Sequence, residues 1–365
     1  MRARDVAFIR KLCSLGLPAP TLAQSLLPAL RRLVPAHSGA VFWVDDKGEM
    51  QQLYAERLLP PEAMARYYER HYATRTAGFA QAFRQRSLEP VPVSVHSFDA
   101  KEQASEYFED VLRPLDAYHV LYGVLRDPKR AYGQISLYRG REDGPFTAES
   151  ATDLEALLRY VSAGLVMRTA RASGAEEWQV VEEALGIVGR DGEMASASPG
   201  WERLLRLAAL PKVSPDSARE EAHHVRAFLE DLCSAATAPQ KGTRPGAGLA
   251  HRTVHENAAG RFSIDCHALG GAPSAQFGVL IRHQEPRSLA LVRATAASDL
   301  SPQQREVALL LAQGRSNPEI AQELGFSLNT AGFHVKQVYD KLQVNDRYSV
   351  GQRLIELAAR AGAAD

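Results

Sequence analysis

Between Asn329 and Gln343 the chain spaces an ammonium group, several amides and hydroxyls and one aromatic ring at helical intervals. Lys336 can donate to guanine or to a phosphate, Gln337 can pair bidentately with an adenine edge, and Phe333 can press on a thymine methyl. That chemistry reaches a DNA groove only if a helix holds these side chains on its free face. The surrounding elements therefore decide whether it is available.

Ser301, Pro302 and Gln304 spell a helix start: the Ser hydroxyl caps free backbone donors, Pro fits the first helical position, and Gln three residues on returns the bond. A helix is predicted to Gln313, and Gly314 supplies the backbone freedom that ends it. Ser316 with Glu319 repeats the capping spacing for a second helix through Leu324. Gly325 marks a sharp turn, and Ser327 to Thr330 offer caps for a third helix running to about Gln343. Val307, Leu310, Leu311, Ile320, Leu324, Val335, Val338 and Leu342 recur at helical spacing and make a small shared core. A fourth helix from Asp346 or Tyr348 adds Val350, Leu354 and Leu357, and it can offer an apolar strip to a second copy. A homodimer is expected.

The run Leu300-Ser-Pro-Gln-Gln-Arg-Glu-Val307, with Ala312-Gln-Gly314, Ser316-Asn-Pro-Glu-Ile-Ala321, Leu324-Gly325, Ser327, Thr330, His334-Val335, Lys341-Leu342 and Val344, resembles the LuxR/FixJ-type helix-turn-helix family. The resemblance implies that the helix from Asn329 to Gln343 lies in the major groove, with Phe333, Lys336 and Gln337 turned to the bases. On the same footing Asn317, Ser327, Asn329, Thr330 and Lys341 are candidates for the phosphate contacts that set its register. Ala331 and Gly332 stand where the family often has Val and a basic residue, so one expected cation is missing. Phe333 has a second reading as a packing residue, and His334 reads as a half-buried structural one.

Upstream, Ala40-Val-Phe-Trp-Val44, the turn Asp45-Asp-Lys-Gly48 and Met50 to Tyr54 read as a hairpin. Helices are predicted around Pro61–Tyr72 and Lys101–Val111, strands at His119–Leu125 and Tyr132–Tyr138, and a long helix from Thr147 to Arg171. This order resembles a GAF domain. From Ala184 to Met194 the chain reads strand, Asp191-Gly192 turn, strand, followed by a helix from Trp201; Pro239–Gly248 reads as a loop. Arg261–Leu269, the Gly270-Gly271 loop and Phe277–Arg282 read as a closing hairpin, and this half resembles a PAS domain. The fold class is α+β multidomain: a GAF-like sensory domain (1–172), a PAS-like domain (173–285), a short helical linker (286–298) and an all-α four-helix helix-turn-helix domain (299–365).

By analogy with such domains, a small-molecule pocket is expected between sheet and helices. Its candidate lining is Trp43, Tyr54, Phe79, Tyr107, Phe108, Tyr118 and Tyr122. His223-His224, His251 with His255, and Cys266-His267 complete no metal set, although His251 and His255 have a spacing that can share a helix face. No cofactor or metal is expected, and no enzyme: there is no G-x-S-x-G, P-loop or H-E-x-x-H.

With 43 basic and 43 acidic residues the net charge is zero. A chain that coats nucleic acid by charge alone is excluded; affinity must come from docking two paired modules. Three scattered cysteines without a C-x-x-C spacing, and apolar stretches too short for a signal or a membrane span, point to the cytoplasm. The partners to expect are double-stranded DNA, a small-molecule effector and a second copy, with RNA polymerase as a further candidate. Control by protein docking is one alternative to ligand sensing. A phosphate-accepting receiver using Asp45-Asp46 is another, and an acyl-homoserine-lactone sensor is disfavoured by the missing tryptophan, tyrosine and aspartate spacing around Trp43.

Overall fold

A computed structural model of the chain describes residues 3–166, 177–209, 221–237, 251–257, 259–269 and 276–362. The first hairpin forms β1 (Ser38–Val44) and β2 (Met50–Ala55). Its turn closes because Asp45 Oδ1 accepts from the backbone N–H groups of Lys47 and Glu49, both at 2.9 Å. That carboxylate is spent on the turn. With β3 (Val93–Ser97), β4 (His119–Arg126) and β5 (Ala131–Arg139) the hairpin builds an antiparallel sheet ordered β2-β1-β5-β4-β3. A receiver needs a parallel βα series, so neither this sheet nor Asp45-Asp46 supports that alternative.

Strand register sorts the side chains onto two faces, because residues directly opposite one another point the same way. Val41 pairs with Ile135 and Ile135 with Gly123, placing all three on the face packed by α2 (Ala19–Leu33) and α6 (Ala148–Leu165), against which α1 (Ala3–Ser14) lies in turn. A Cβ at Gly123 would meet Leu158 and Leu154 at 3.1 and 3.2 Å, so glycine lets α6 sit close on the sheet. Phe42, Gln134, Val124, Ser136 and Tyr122 share the opposite face. Over that side run α3 (Pro61–Arg66), a π-helical turn (Tyr67–His71), α4 (Tyr72–Leu88), α5 (Ala100–Gln103) and a second π-helical turn (Phe108–Leu112). The helix predicted around Pro61–Tyr72 is thus longer and changes pitch within itself. β3 was not expected: Val93-Ser-Val-His-Ser97 is too short and too polar to announce an edge strand.

The second sheet uses β6 (Trp178–Val188), β7 (Met194–Ala197), β8 (His251–Asn257), β9 (Gly260–Leu269) and β10 (Gln276–Pro286). Its order, β7-β6-β10-β9-β8, repeats that of the first sheet. α7 (Trp201–Ala208) and α8 (Glu221–Thr237) bury Trp201, Leu204, Leu229 and Cys233 against Phe262, Ile264, Phe277 and Val279. His251 and His255 do not share a helix face: they lie on β8 opposite Cys266 and Phe262. The side chains of His223 and His224, the loops at 239–248 and 270–271, and the helix end toward Arg171 lie outside the described residues.

The C-terminal region is all helical: α9 (Arg287–Ala297), α10 (Pro302–Ala312), α11 (Asn317–Leu324), α12 (Leu328–Leu342) and α13 (Arg347–Gly362). α9 occupies the stretch expected as a linker, yet it buries Leu289, Ala290, Leu291, Val292 and Ala294. Ala294 shares the core of Val307, Ile320, Val338 and Leu354, and Leu291 lies against Gly351 of α13. The apolar run Leu289-Ala-Leu-Val292 makes the segment part of the module. Compact units divide accordingly, residues 1–172 with 180–285 in one and 173–179 with 286–365 in the other. No helix among the described residues is long and apolar enough to cross a membrane.

Candidate nucleic-acid interface and effector pocket

Three caps fix the C-terminal helices where the sequence places them. Ser301 and Gln304 exchange reciprocal bonds at the start of α10, Ser316 and Glu319 do so at α11, and Ser327 Oγ accepts from Thr330 N–H at α12, 3.1 Å. Hydrogen bonds from Ser316 hold the Glu319 carboxyl below its ordinary range. Gly325 ends α11 at φ +66°, a left-handed conformation that glycine adopts without strain. α12 buries Ala331, Val335, Val338 and Leu342. At 100° per residue its opposite side carries Asn329, Phe333, Lys336 and Asp340, all exposed.

Within that stripe the candidates differ in freedom. Phe333 is 59% exposed, meets the neighbouring His334 ring edge-on and is not among the residues packed against the helical core. Lys336 is exposed, with no carboxylate partner among the described residues. Asn329 and Thr330 are exposed in the first turn of α12, beside the exposed Ser327. Gln337 is otherwise employed: its Oε1 accepts from Gln304 Nε2 at 2.9 Å, tying α12 to the cap of α10. Bidentate pairing with adenine would first have to break that bond. Lys341 donates to the Asp299 carbonyl, 3.2 Å, and Asn317 is half-buried in the first turn of α11. His334 is half-buried against Phe326.

On α13, Val350 and Leu354 are buried and Leu357 packs against the same core. As expected, these residues join the shared helical core. Besides Phe333, Tyr348, 82% exposed, and Leu328, 57% exposed, are large apolar side chains left open among the described residues of this region; their sequence signal is only their position at helix starts.

In the first domain the seven pocket candidates do not converge. Trp43 is 2% exposed and donates its indole N–H to the Leu165 carbonyl at 2.8 Å, so it is a core residue between β1 and the end of α6. Tyr54 pairs with Val41 and belongs to the same α-helical face; burial pushes its phenol up to about 12. Both lie on the wrong side of the sheet to join the others. Phe108 and Tyr118 pack edge to face at 5.0 Å in a small core of their own. Phe79 stacks among Phe42 and Phe83. Tyr107 and Tyr122 remain, and around them the sequence reading missed most of the polar chemistry.

That chemistry is a connected chain. Arg86 of α4 lays its guanidinium 4.4 Å over the Tyr122 ring and donates through Nε to Gln134 Oε1 at 3.0 Å. Gln134 donates onward to Ser136 Oγ, 3.0 Å, and Ser136 reaches the Tyr138 phenol. Burial pushes the Tyr122 phenol up to about 12, raises Tyr138 further, and lowers the Arg86 guanidinium. Nearby, His71 Nε2 and Asp110 Oδ2 lie 3.0 Å apart across the two π-helical turns, and the His71 ring meets Tyr107 edge-on at 5.5 Å. The bond from His71, with Arg66 and Arg70 beside it, holds the Asp110 carboxyl below its ordinary range. Among the described residues no group of three or more metal-ligating side chains forms.

Residues 298–352 match the family described as "Bacterial regulatory proteins, luxR family". The C-terminal domain is a LuxR-type helix-turn-helix domain. HTH-type transcriptional regulators of Mycobacterium bovis and Mycobacterium tuberculosis are each 25% identical over 60% of this chain and 30% of their own length. The chain thus spans about a third of the curated relatives it matches. Among solved structures, the N-acylhomoserine lactone dependent LuxR family transcription factor of Burkholderia cenocepacia is 16% identical, covering 45% of this chain and 96% of that one, with a TM-score of 0.30. SdiA of Escherichia coli is 12% identical and covers 93% of each chain with a TM-score of 0.25.

Proposed function

We propose that this chain is a sequence-specific, DNA-binding regulator of transcription, acting as a homodimer whose first domain senses a small molecule. The observation that carries the reading is the division of α12: an apolar face locked into a capped helical core, and opposite it an exposed stripe with an unpaired ammonium at Lys336. Asn329, Thr330 and Ser327 set the helix on the phosphates, while Lys336 and Phe333 meet base edges. Gln337 and Lys341 serve first to hold α12 in place. A single module with balanced charge binds weakly, so two copies on a two-fold site supply the affinity. Genomic footprinting followed by gel shifts on the recovered fragments tests this; a protein that protects no fragment, or protects all equally, refutes it.

For the front of the chain, the shared strand order of the two sheets and the helices over them support GAF-like and PAS-like sensory domains. The effector pocket lies on the face of the first sheet that carries Tyr122 and Gln134, not on the face that carries Trp43. Ligand occupancy there shifts the population of a conformer with altered DNA affinity. Unchanged footprints across a ligand titration that saturates the domain would refute that coupling. RNA polymerase contact remains a part of the same proposal, tested by transcription reconstituted from purified components.

A further inference from the structure

Taking as its premise the effector pocket just proposed, the geometry points to a carboxylate as the ligand group it receives: we infer that Arg86 anchors a small monoanion between the Tyr107, Tyr122 and Tyr138 rings. Among the described residues Arg86 has no carboxylate partner, and its only hydrogen bond runs from Nε to Gln134. The two terminal amino groups of the fork are left over. Their position is fixed from both sides, by the Tyr122 ring beneath the guanidinium and by the amide that Ser136 in turn holds. A cation organised in this way and given no counter-ion is poised for one.

The energetics favour the same answer. Gln134 is 2% exposed and Ser136 fully buried, and both stand on a sheet face where apolar residues would cost nothing. A half-buried guanidinium at the end of a buried polar chain gains from an anionic partner. Burial lowers the pKa of Arg86, a desolvation that an anion beside the guanidinium would offset. The raised phenols of Tyr122 and Tyr138 stay protonated and can donate to the same anion. Glu102, the acidic group near Tyr122, is turned away: Asp99 N–H donates to its Oε2 at 2.9 Å and His96 Nε2 lies 3.0 Å from its Oε1.

One monodirectional fork matches a planar carboxylate end-on, whereas a phosphate dianion calls for further cations, and the neighbouring Arg66 and Arg70 are already committed to Asp110. The aromatic rings then define the remainder of the ligand as a flat or acyl hydrocarbon.

The test uses the full chain and three probe pairs: benzoate, phenylacetate and hexanoate, each with its neutral amide, with inorganic phosphate as a further probe. Ligand-detected NMR titration reads binding, and the melting temperature reads stabilisation. At least one carboxylate is expected to bind about ten- to a hundredfold more tightly than its amide, a preference lost in Arg86→Gln. Arg86→Lys keeps the charge and loses the fork, so it should retain part of the preference and serves if the glutamine variant does not fold. Tyr122→Phe should weaken the carboxylate by a few fold and leave the amide unchanged. Equal binding of acid and amide, preference for phosphate, or an unaltered preference in both Arg86 variants would overturn the inference while leaving a ligand-binding domain in place. If no probe of either kind binds, the carboxylate inference fails together with the effector pocket, and DNA footprints alone would survive.

Discussion

The C-terminal module and the first domain both hold polar chemistry on one side of an apolar core, but in opposite senses. On α12 the chemistry faces outward and each side chain reaches solvent directly, so Lys336 and Phe333 are available without any rearrangement. In the first domain the corresponding groups, Gln134 and Ser136 on the sheet and Arg86 reaching down from α4, are linked in a single chain between the two. The difference teaches how each can act. An outward stripe suits a large partner that arrives with its own surface, while an inward chain suits a small one that must be enclosed.

If the two regions are as separate as this, damage to one should leave the other intact. The largest effect should come from Ile320→Ala, which empties a fully buried site in the helical core. A loss of about 3 kcal/mol is expected, read by calorimetry as a lowered transition of the C-terminal unit alone. A matching shift in the other unit would show that they fold as one.

Next in size is Asp265→Asn. Asp265 is 3% exposed and accepts from Arg252 and Arg282, whose bonds lower its pKa. A carboxyl whose folded pKa is depressed stabilises above its unfolded value, near 4, and loses that contribution as pH falls through the folded one. The variant should therefore cost about 2 kcal/mol at pH 7, and the gap from wild type should close in acid. A gap independent of pH would remove the ion pairs as its cause.

Lys336→Ala sharpens the contrast from the other direction, since it should weaken operator binding by about tenfold with no change in melting temperature. Gln337→Ala, by comparison, should lower the stability of the helical unit first, because it breaks the bond to Gln304. The smallest effect, about 1 kcal/mol, is expected for Ser301→Ala, which removes one capping box. Hydrogen exchange at the first turn of α10 would report it.

The helical module was legible in the sequence almost residue by residue. Ser301, Ser316 and Ser327 cap helices in place, and the apolar residues named for the core are its core. Each of those signals acts within one turn of helix, so a single chain displays them. Two features of that region were hidden: the burial of α9, and the bond that commits Gln337 to Gln304. Both depend on which helix packs against which. In the first domain the hairpin at Asp45 was visible for the same local reason. Its polar chain was not, because Gln134 and Ser136 alternate with Ile135 and Leu137 in the way an ordinary half-exposed strand does.

By itself the sequence determined where α10 to α12 start and stop, which face of each is apolar, and that Lys336 stands opposite Val335 and Val338. Caps, glycines and periodicity are short-range, and the chain carries them wherever it folds. Only tertiary structure decided that Trp43 belongs to the packed face of the first sheet, that Gln337 is committed to Gln304, and that Arg86 meets Gln134. Those outcomes rest on strand order and on helices distant in sequence, which bring together side chains that no local pattern connects.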